Sequence, residues 1–243
     1  MTVKLHQDVV DFHSHVLPGA DHGAVTIDET ASQLKFAKDA GVTRIIATPH
    51  FYPHRHIVEK FLSKREKSYM ELKESGVLED APQIRLGAEV LLCENLYKLP
   101  RLNELCVYGS NTILLELPFS DISDNHVKTV SEIINMGLDV VLAHADKYLC
   151  TDIEKFIAVG ARLQLNADAF TSVFRKKSHI YGWLDGGKVV AIGSDIHKKD
   201  KSAYKRFVKA KKKIGTNLDY LCKKSDEIWE KSKDFFSKQI AAK

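Results

Sequence analysis

Cysteine is scarce and scattered: Cys93, Cys106, Cys150 and Cys222 have no paired spacing. That excludes a disulfide frame or a zinc knuckle and fits reduced, buried thiols in a cytoplasmic protein. No apolar run reaches the roughly 18 residues a membrane helix needs, so no transmembrane segment is expected. The stretch from Met1 to Val10 carries His, Gln and Asp and shows no secretory signal. Also missing are a glycine-rich nucleotide loop, a Cys-x5-Arg phosphatase loop and any nucleophilic Ser or Cys motif. Linkers rich in Ser and Gly, internal repeats and low-complexity blocks are absent too, apart from the lysines near 209–213. These absences turn attention to the histidines and carboxylates.

Charge is divided unevenly along the 243 residues. From Lys198 to Lys243 there are 15 Lys/Arg against 6 Asp/Glu, leaving 21 against 26 for the first 197 residues. A basic tail can steer an anionic partner, although a solvated face of two C-terminal helices accounts for it more simply. The segment lacks the aromatic interleaving of a single-strand nucleic-acid surface, so no nucleic acid is expected as a partner.

Short apolar runs alternate with amphipathic ones, the pattern of βα units around a parallel sheet. Seven strands are predicted: Val9–His13, Thr43–Thr48, Ile84–Val90, Thr112–Leu117, Asp139–Ala143, Arg162–Asn166 and Val189–Ser194. Their richness in Val, Ile and Leu suits strands covered on both faces. A capping box at Thr26–Glu29 opens a helix that Gly41 stops. Further helices are predicted over Ile57–Ser75, Asp124–Met136, Asp152–Val159, Thr171–Leu184, Ser202–Ile214 and Leu218–Gln239. With 44% apolar residues, the chain reads as one α/β domain over 1–243, a (β/α)7 barrel with a lysine-rich helical segment from about 201.

Barrel chemistry sits at the C-terminal ends of the strands, where this sequence concentrates its metal-binding side chains. The first predicted strand closes with Asp11-Phe12-His13-Ser14-His15; two imidazoles two residues apart share one face of a strand. His50, Glu89, Glu116, His144, Asp195 and His197 fall at or just past later strand ends. A mixed nitrogen and oxygen set suits manganese, iron, zinc or cobalt better than magnesium or calcium. So many ligands exceed what one ion needs and imply two or three. Neighbouring ions can generate hydroxide near neutral pH and clamp the oxygens of an in-line displacement.

The blocks Asp-Phe-His-Ser-His-Val-Leu-Pro-Gly-Ala-Asp-His-Gly-Ala, Ile-Ile-Ala-Thr-Pro-His, Leu-Gly-Ala-Glu-Val, Ile-Leu-Leu-Glu-Leu-Pro-Phe, Ala-His-Ala-Asp-Lys-Tyr and Ile-Gly-Ser-Asp-Ile-His occur in order over about residues 9–200. Together they resemble the polymerase-and-histidinol-phosphatase (PHP) family. The likeness is greatest to its bacterial manganese-dependent protein-tyrosine phosphatases tied to capsule and exopolysaccharide synthesis. The resemblance implies a distorted seven-stranded barrel with three metals, manganese foremost, at its mouth. His13, His15, Glu89 and Asp195 would bind the first; Glu89 would bridge to a second completed by Glu116 and His144. His22, His50 and His197 would hold the third. Hydroxide would attack phosphorus with no phosphoenzyme, and the partner would be a tyrosine-phosphorylated protein such as a membrane-associated bacterial tyrosine kinase.

Two positions depart from the family pattern. His22 stands where those phosphatases usually carry Asp, with Asp21 as a neighbour that would orient an imidazole. Lys147 stands where a phosphate-binding arginine is usual, keeping the charge without the planar fork. A second family arginine past His197 has no clear counterpart, with Lys198, Lys199, Lys201 and Arg206 nearby. In the loop Phe51-Tyr52-Pro53-His54-Arg55-His56, Arg55 is a candidate for phosphate binding and His54 or His56 for protonating the leaving group. Phe51 and Tyr52 are candidates for lining a phenyl pocket or for packing. His6, His126 and His179 read as surface residues without a role, and Trp183 and Trp229 as helix-packing residues. The alternatives are a small-molecule phosphatase resembling histidinol phosphatase, an amidohydrolase, and a non-catalytic PHP module.

Overall fold

The computed structural model describes residues 9–119, 122–171 and 178–240. The predicted surface residue His6 and the 172–177 part of the predicted Thr171–Leu184 helix lie outside them. Nine strands are described: β1 (Val9–Ser14), β2 (Val42–Ala47), β3 (His50–Phe51), β4 (Gln83–Leu86), β5 (Glu89–Leu91), β6 (Thr112–Glu116), β7 (Asp139–Leu142), β8 (Arg162–Asn166) and β9 (Val189–Gly193). Every pairing is parallel, in two sheets ordered β1-β2-β4 and β3-β5-β6-β7-β8-β9.

These nine are seven staves, two of them broken side by side. The predicted Ile84–Val90 strand divides into β4 and β5, and β3 continues β2 across Thr48-Pro49. Pro49 has no N–H to give the ladder, while the Gly87 N–H reaches back to the Ala47 carbonyl at 2.8 Å and the Glu89 N–H to the Pro49 carbonyl at 3.1 Å. His50 and Glu89 therefore open short second strands, paired with each other in register. The ring closes where β9 meets β1: the Asp195 N–H donates to the His13 carbonyl at 2.9 Å, and Ser14 bridges Ile196.

Helices α1 (Ile27–Asp39), α2 (Val58–Glu74), α3 (Asp124–Asn135), α4 (Cys150–Ala158), α5 (Ser178–Asp185), α6 (Lys201–Ile214) and α7 (Asn217–Ile240) account for the amphipathic runs. The Thr26 hydroxyl accepts from the Glu29 N–H, as the capping-box reading expects, but the Glu29 carboxylate takes the Val25 N–H instead of that of Thr26. At the start of α3, His126 Nδ1 accepts from the Ser123 N–H at 3.1 Å. His126, half-buried, therefore has a structural task that its reading as a surface residue without a role missed.

A large apolar layer lies between strands and helices. A smaller one joins Val10, Phe12, Ile46, Leu114, Val141 and Val190, which only a closed ring brings together, with Ile228 and Trp229 of α7 against it. Trp229 packs as predicted, beneath the Arg85 guanidinium 4.1 Å from its ring centroid. The four cysteines are free, and burial pushes the Cys106 thiol up to about 12 and Cys222 to about 11. Both are protonated, inert packing groups.

Candidate metal centre

The staves deliver their polar ends to one point. His13 and His15 leave β1 with their Nε2 atoms 3.2 Å apart. Glu89 Oε2 lies 3.2 Å from His13 Nε2, 3.3 Å from His15 Nε2 and 2.9 Å from His50 Nδ1, while Oε1 lies 2.8 Å from His144 Nε2. Glu116 adds an oxygen 3.7 Å from His50 and another 3.6 Å from His144. Asp195 Oδ1 stands 3.7 Å from His13 and 3.6 Å from His15. His13 and Glu89 are buried almost completely.

Four triads of ligand atoms result: His13–His15–Asp195, His13–Glu89–His144, His50–Glu89–Glu116 and His15–His50–His197. None takes in His22. Its exposed imidazole stacks on His50 and His197, with ring centroids 4.7 and 4.8 Å apart. His50 and His197 share His15 instead, which differs from the His22–His50–His197 set the resemblance implies.

Do these residues fit metal ions? His50 Nδ1, Glu89 Oε2, His144 Nδ1 and His197 Nε2 are buried without a hydrogen-bond partner. Orphaned buried polar atoms are costly, and here imidazole lone pairs and carboxylate oxygens crowd together at ligand-to-ligand spacing. The donor set is mixed nitrogen and oxygen, as borderline divalent ions prefer. The residues fit.

Backbone strain aims two of them. His144 and Asp195 have φ of +34° and +50°, a region that costs a non-glycine residue on the order of 1 kcal/mol or more. Close packing supports His13 and His15 from behind. A Cβ on Gly193 would lie 2.6 Å from both the His13 Cβ and the Gln164 amide, and one on Gly23 would lie 2.3 Å from the His15 Cβ.

Charge is balanced by proximity. Burial alone would push His13 and His15 down. For His13 the charges of Glu89 and Asp195 outweigh it; for His15, the adjoining carboxylates of Asp195, Asp21 and Glu89 do. Both rise, His15 well above the usual imidazole range. Burial likewise opposes ionisation of Glu89 and Asp195, but the surrounding histidines hold both well below the carboxylate range. Glu116, buried and beside the Glu89 charge, is raised. His197 falls to about 4, from burial and then the charge of His15.

Behind the ligands stands a layer of polar partners that sequence reading missed. Gln164 Oε1 accepts from the His144 N–H at 2.7 Å and lies 3.1 Å from His13 Nδ1. The Gln164 amide donates to Asn166 Oδ1, and Asn166 Nδ2 donates to Asp195 Oδ2 at 2.8 Å. Asp21 Oδ2 lies 2.7 Å from His15 Nδ1, the orienting contact its position suggested. The Leu163-Gln-Leu-Asn166 alternation was the available signal, two neutral polar side chains on one face of an apolar strand. Because Gln164 fixes the His13 tautomer and the His144 backbone together, Gln164→Ala should cost roughly 10- to 100-fold in metal affinity or turnover. Titration of metal into the variant checks this, and unchanged affinity and turnover would refute it.

The remaining candidates line the rim. Lys147 Nζ donates to Asp195 Oδ2 at 2.8 Å, so burial, which would lower its pKa, is outweighed by Asp195 and Lys147 stays charged. Arg55 and His54 are exposed; the Arg55 guanidinium lies 5.8 Å over Tyr52, and the His54 ring is 6.1 Å from it. His56 Nδ1 accepts from the Tyr52 N–H. Phe51 is fully buried against Phe61, so of its two candidate roles it takes the packing one. His179 packs edge-on to Trp183.

Comparison with known proteins gives the same direction. A family profile described as capsular polysaccharide synthesis, CpsB/CapC, matches residues 9–227. CapC of Staphylococcus aureus is 28% identical over 203 residues, 78% of this chain and 77% of that protein. The tyrosine-protein phosphatase CpsB of Streptococcus pneumoniae is 25% identical over 212 residues, covering 79% and 84%. A crystal structure reported for YwqE from Bacillus subtilis and CpsB from Streptococcus pneumoniae, unique metal-dependent tyrosine phosphatases, superposes with a TM-score of 0.73. That alignment covers 90% of this chain and 93% of the other at 20% identity, and it shows a shared fold.

Proposed function

Since this chain belongs to the CpsB/CapC family of capsular polysaccharide synthesis, we propose that it is a metal-dependent protein-tyrosine phosphatase acting in capsule or exopolysaccharide regulation. The observation that carries the reading is the convergence of His13, His15, His50 and His144 on Glu89, with ligand atoms left unpartnered. His13, His15, Glu89 and Asp195 would hold one ion, Glu89, Glu116 and His144 a second, and His50 with His197 a third that His22 completes by turning inward. Manganese is the proposed ion. Such ions supply hydroxide near neutral pH and neutralise charge on the phosphoryl oxygens.

The chain's own residues do the rest. Gln164 and Asp21 hold the imidazoles so that their metal-facing nitrogens keep lone pairs. Asn166 and Lys147 fix Asp195 through one oxygen and leave the other turned to the histidines. Lys147 would offer its charge to the phosphate, Arg55 a second contact from the loop, and His54 a proton for the leaving phenolate. The proposed substrate is a tyrosine-phosphorylated protein, such as a membrane-associated kinase reached from the cytoplasm. No helix among the described residues is long and apolar enough to cross a membrane.

The test is hydrolysis of a phosphotyrosine peptide with manganese, beside a phosphoserine peptide and histidinol phosphate, with His13→Ala as control. Tyrosine-selective turnover lost in the variant is expected. Turnover of histidinol phosphate alone would transfer the site to small-molecule chemistry, and no turnover by the metal-loaded protein would overturn the proposal.

A further inference from the structure

Large apolar side chains exposed to water are ordinary when scattered. Here they gather. Of the seven among the described residues, Val25, Ile57, Phe119 and Leu149 lie on loops that follow β1, β3, β6 and β7, at the end of the barrel where the metal centre opens. Phe119 is the most exposed, at 78%. It stands three residues beyond Glu116 and leaves most of its apolar surface in water in that position.

The ring is not adrift. Phe119 stacks on Tyr148 with centroids 6.0 Å apart and planes at 30°. Tyr148 is pinned through its hydroxyl, which donates to the Leu117 carbonyl at 2.8 Å, and its ring lies 5.8 Å from that of His144. A ladder of rings thus climbs from Glu89 through His144 and Tyr148 to solvent at Phe119. On the other side Tyr52 stacks on His50 at 5.3 Å, with the Arg55 guanidinium over its ring. Phe119 is the wall with an open face.

We infer that Phe119, seated on Tyr148, is a specificity-determining residue that receives the phenyl ring of a phosphotyrosine whose phosphate lies in the metal centre. The inference rests on the phosphatase reading and adds what selects the substrate. Centroid separations of 4.5–7 Å are normal for aromatic pairs, so rings 6.0 Å apart leave no gap for a third between them. The incoming ring packs along the edge of the Phe119–Tyr148 pair that borders the mouth, with its phosphate turned toward His144. Depth works with the ring: the ligands are buried, so a phosphate has to be carried in from the rim on a side chain of some length. Phosphoserine has no ring to seat and would have to draw its backbone into the mouth. Val25, Ile57 and Leu149 suit apolar residues flanking the phosphotyrosine.

Binding of two non-hydrolysable peptides tests this, one with a difluorophosphonomethyl-phenylalanine and one with the corresponding serine phosphonate. Fluorescence anisotropy on the manganese-loaded protein reads their affinities. Phe119→Ala is expected to weaken the aryl peptide about tenfold and to lower the aryl-to-serine ratio by nearly as much. Phe119→Leu should recover part of the loss, and Phe119→Trp all of it. Equal weakening of both peptides, or no weakening of either, would overturn the assignment. Tight aryl binding by a wild-type protein that hydrolyses no phosphotyrosine would instead reject the phosphatase reading and leave the aryl seat standing.

Discussion

Glu89→Gln should lower kcat/KM toward a phosphotyrosine peptide by at least about a thousandfold, the scale at which preorganised charge acts in such sites. The substitution keeps shape and volume. What it removes is the one negative charge within 3.3 Å of three histidine nitrogens and 2.8 Å of a fourth. It also turns an N–H2 toward groups that must accept a cation. Metal content by mass spectrometry should fall with activity, since Glu89 belongs to two of the four ligand triads. The metal-free variant should lose stability as well. Removing one partner of a buried ion pair costs roughly 3–5 kcal/mol because the other charge stays behind, and here the stranded charge would be on His13 or His15. A variant with full metal content and near-native turnover would refute the central position assigned to Glu89.

Exhaustive chelation should abolish activity and lower Tm on the order of 10 °C, both restored by manganese. An ion held at a thousand times its dissociation constant stabilises the native state by about 4 kcal/mol, and each kcal/mol is worth roughly 2–4 °C in a chain of this size. The gap should depend on pH. His13 and His15 hold protons above the usual imidazole range, so a cation must displace them, and binding weakens as pH falls from about 8 to 6. The stripped protein moves the opposite way. Stability contributed by imidazoles with raised pKa is complete below about 6.5 and fades as pH climbs through their folded values. Glu89 and Asp195, held low, act only at acid pH and leave this window undisturbed. The difference in Tm between loaded and stripped protein should therefore widen toward pH 8. A gap independent of pH would mean that the ions bind away from these histidines.

The positions of the staves and the histidines at their ends were legible because both obey short rules: apolar runs of strand length, and ligands past the last apolar residue. The breaks at Pro49 and Gly87 were not, since they depend on which neighbouring carbonyl each strand meets. The resemblance supplied the division into three metal sites, and the geometry draws His50 and His197 toward His15 instead of leaving them to His22. Gln164 and Asn166 passed unnoticed because neutral amides carry no charge signature; their meaning comes from what stands across the barrel. Phe51 and Tyr52 look interchangeable in sequence, yet one is sealed in the core and the other stacks on His50. Strand direction at a two-residue β3 made that choice.

The closure of β9 on β1 carries a consequence for synthesis. His13 and His15 leave the ribosome first, while Asp195 and His197 follow some 180 residues later. At about 5–20 residues per second, the nascent chain spends on the order of ten seconds or more with the proposed coordination sphere half built. During that time it offers a His-x-His pair to any borderline cation in reach. Fidelity of metal selection is then settled at ring closure, when the last stave adds Asp195 to the carboxylates of Glu89 and Glu116 and completes the mixed nitrogen and oxygen set.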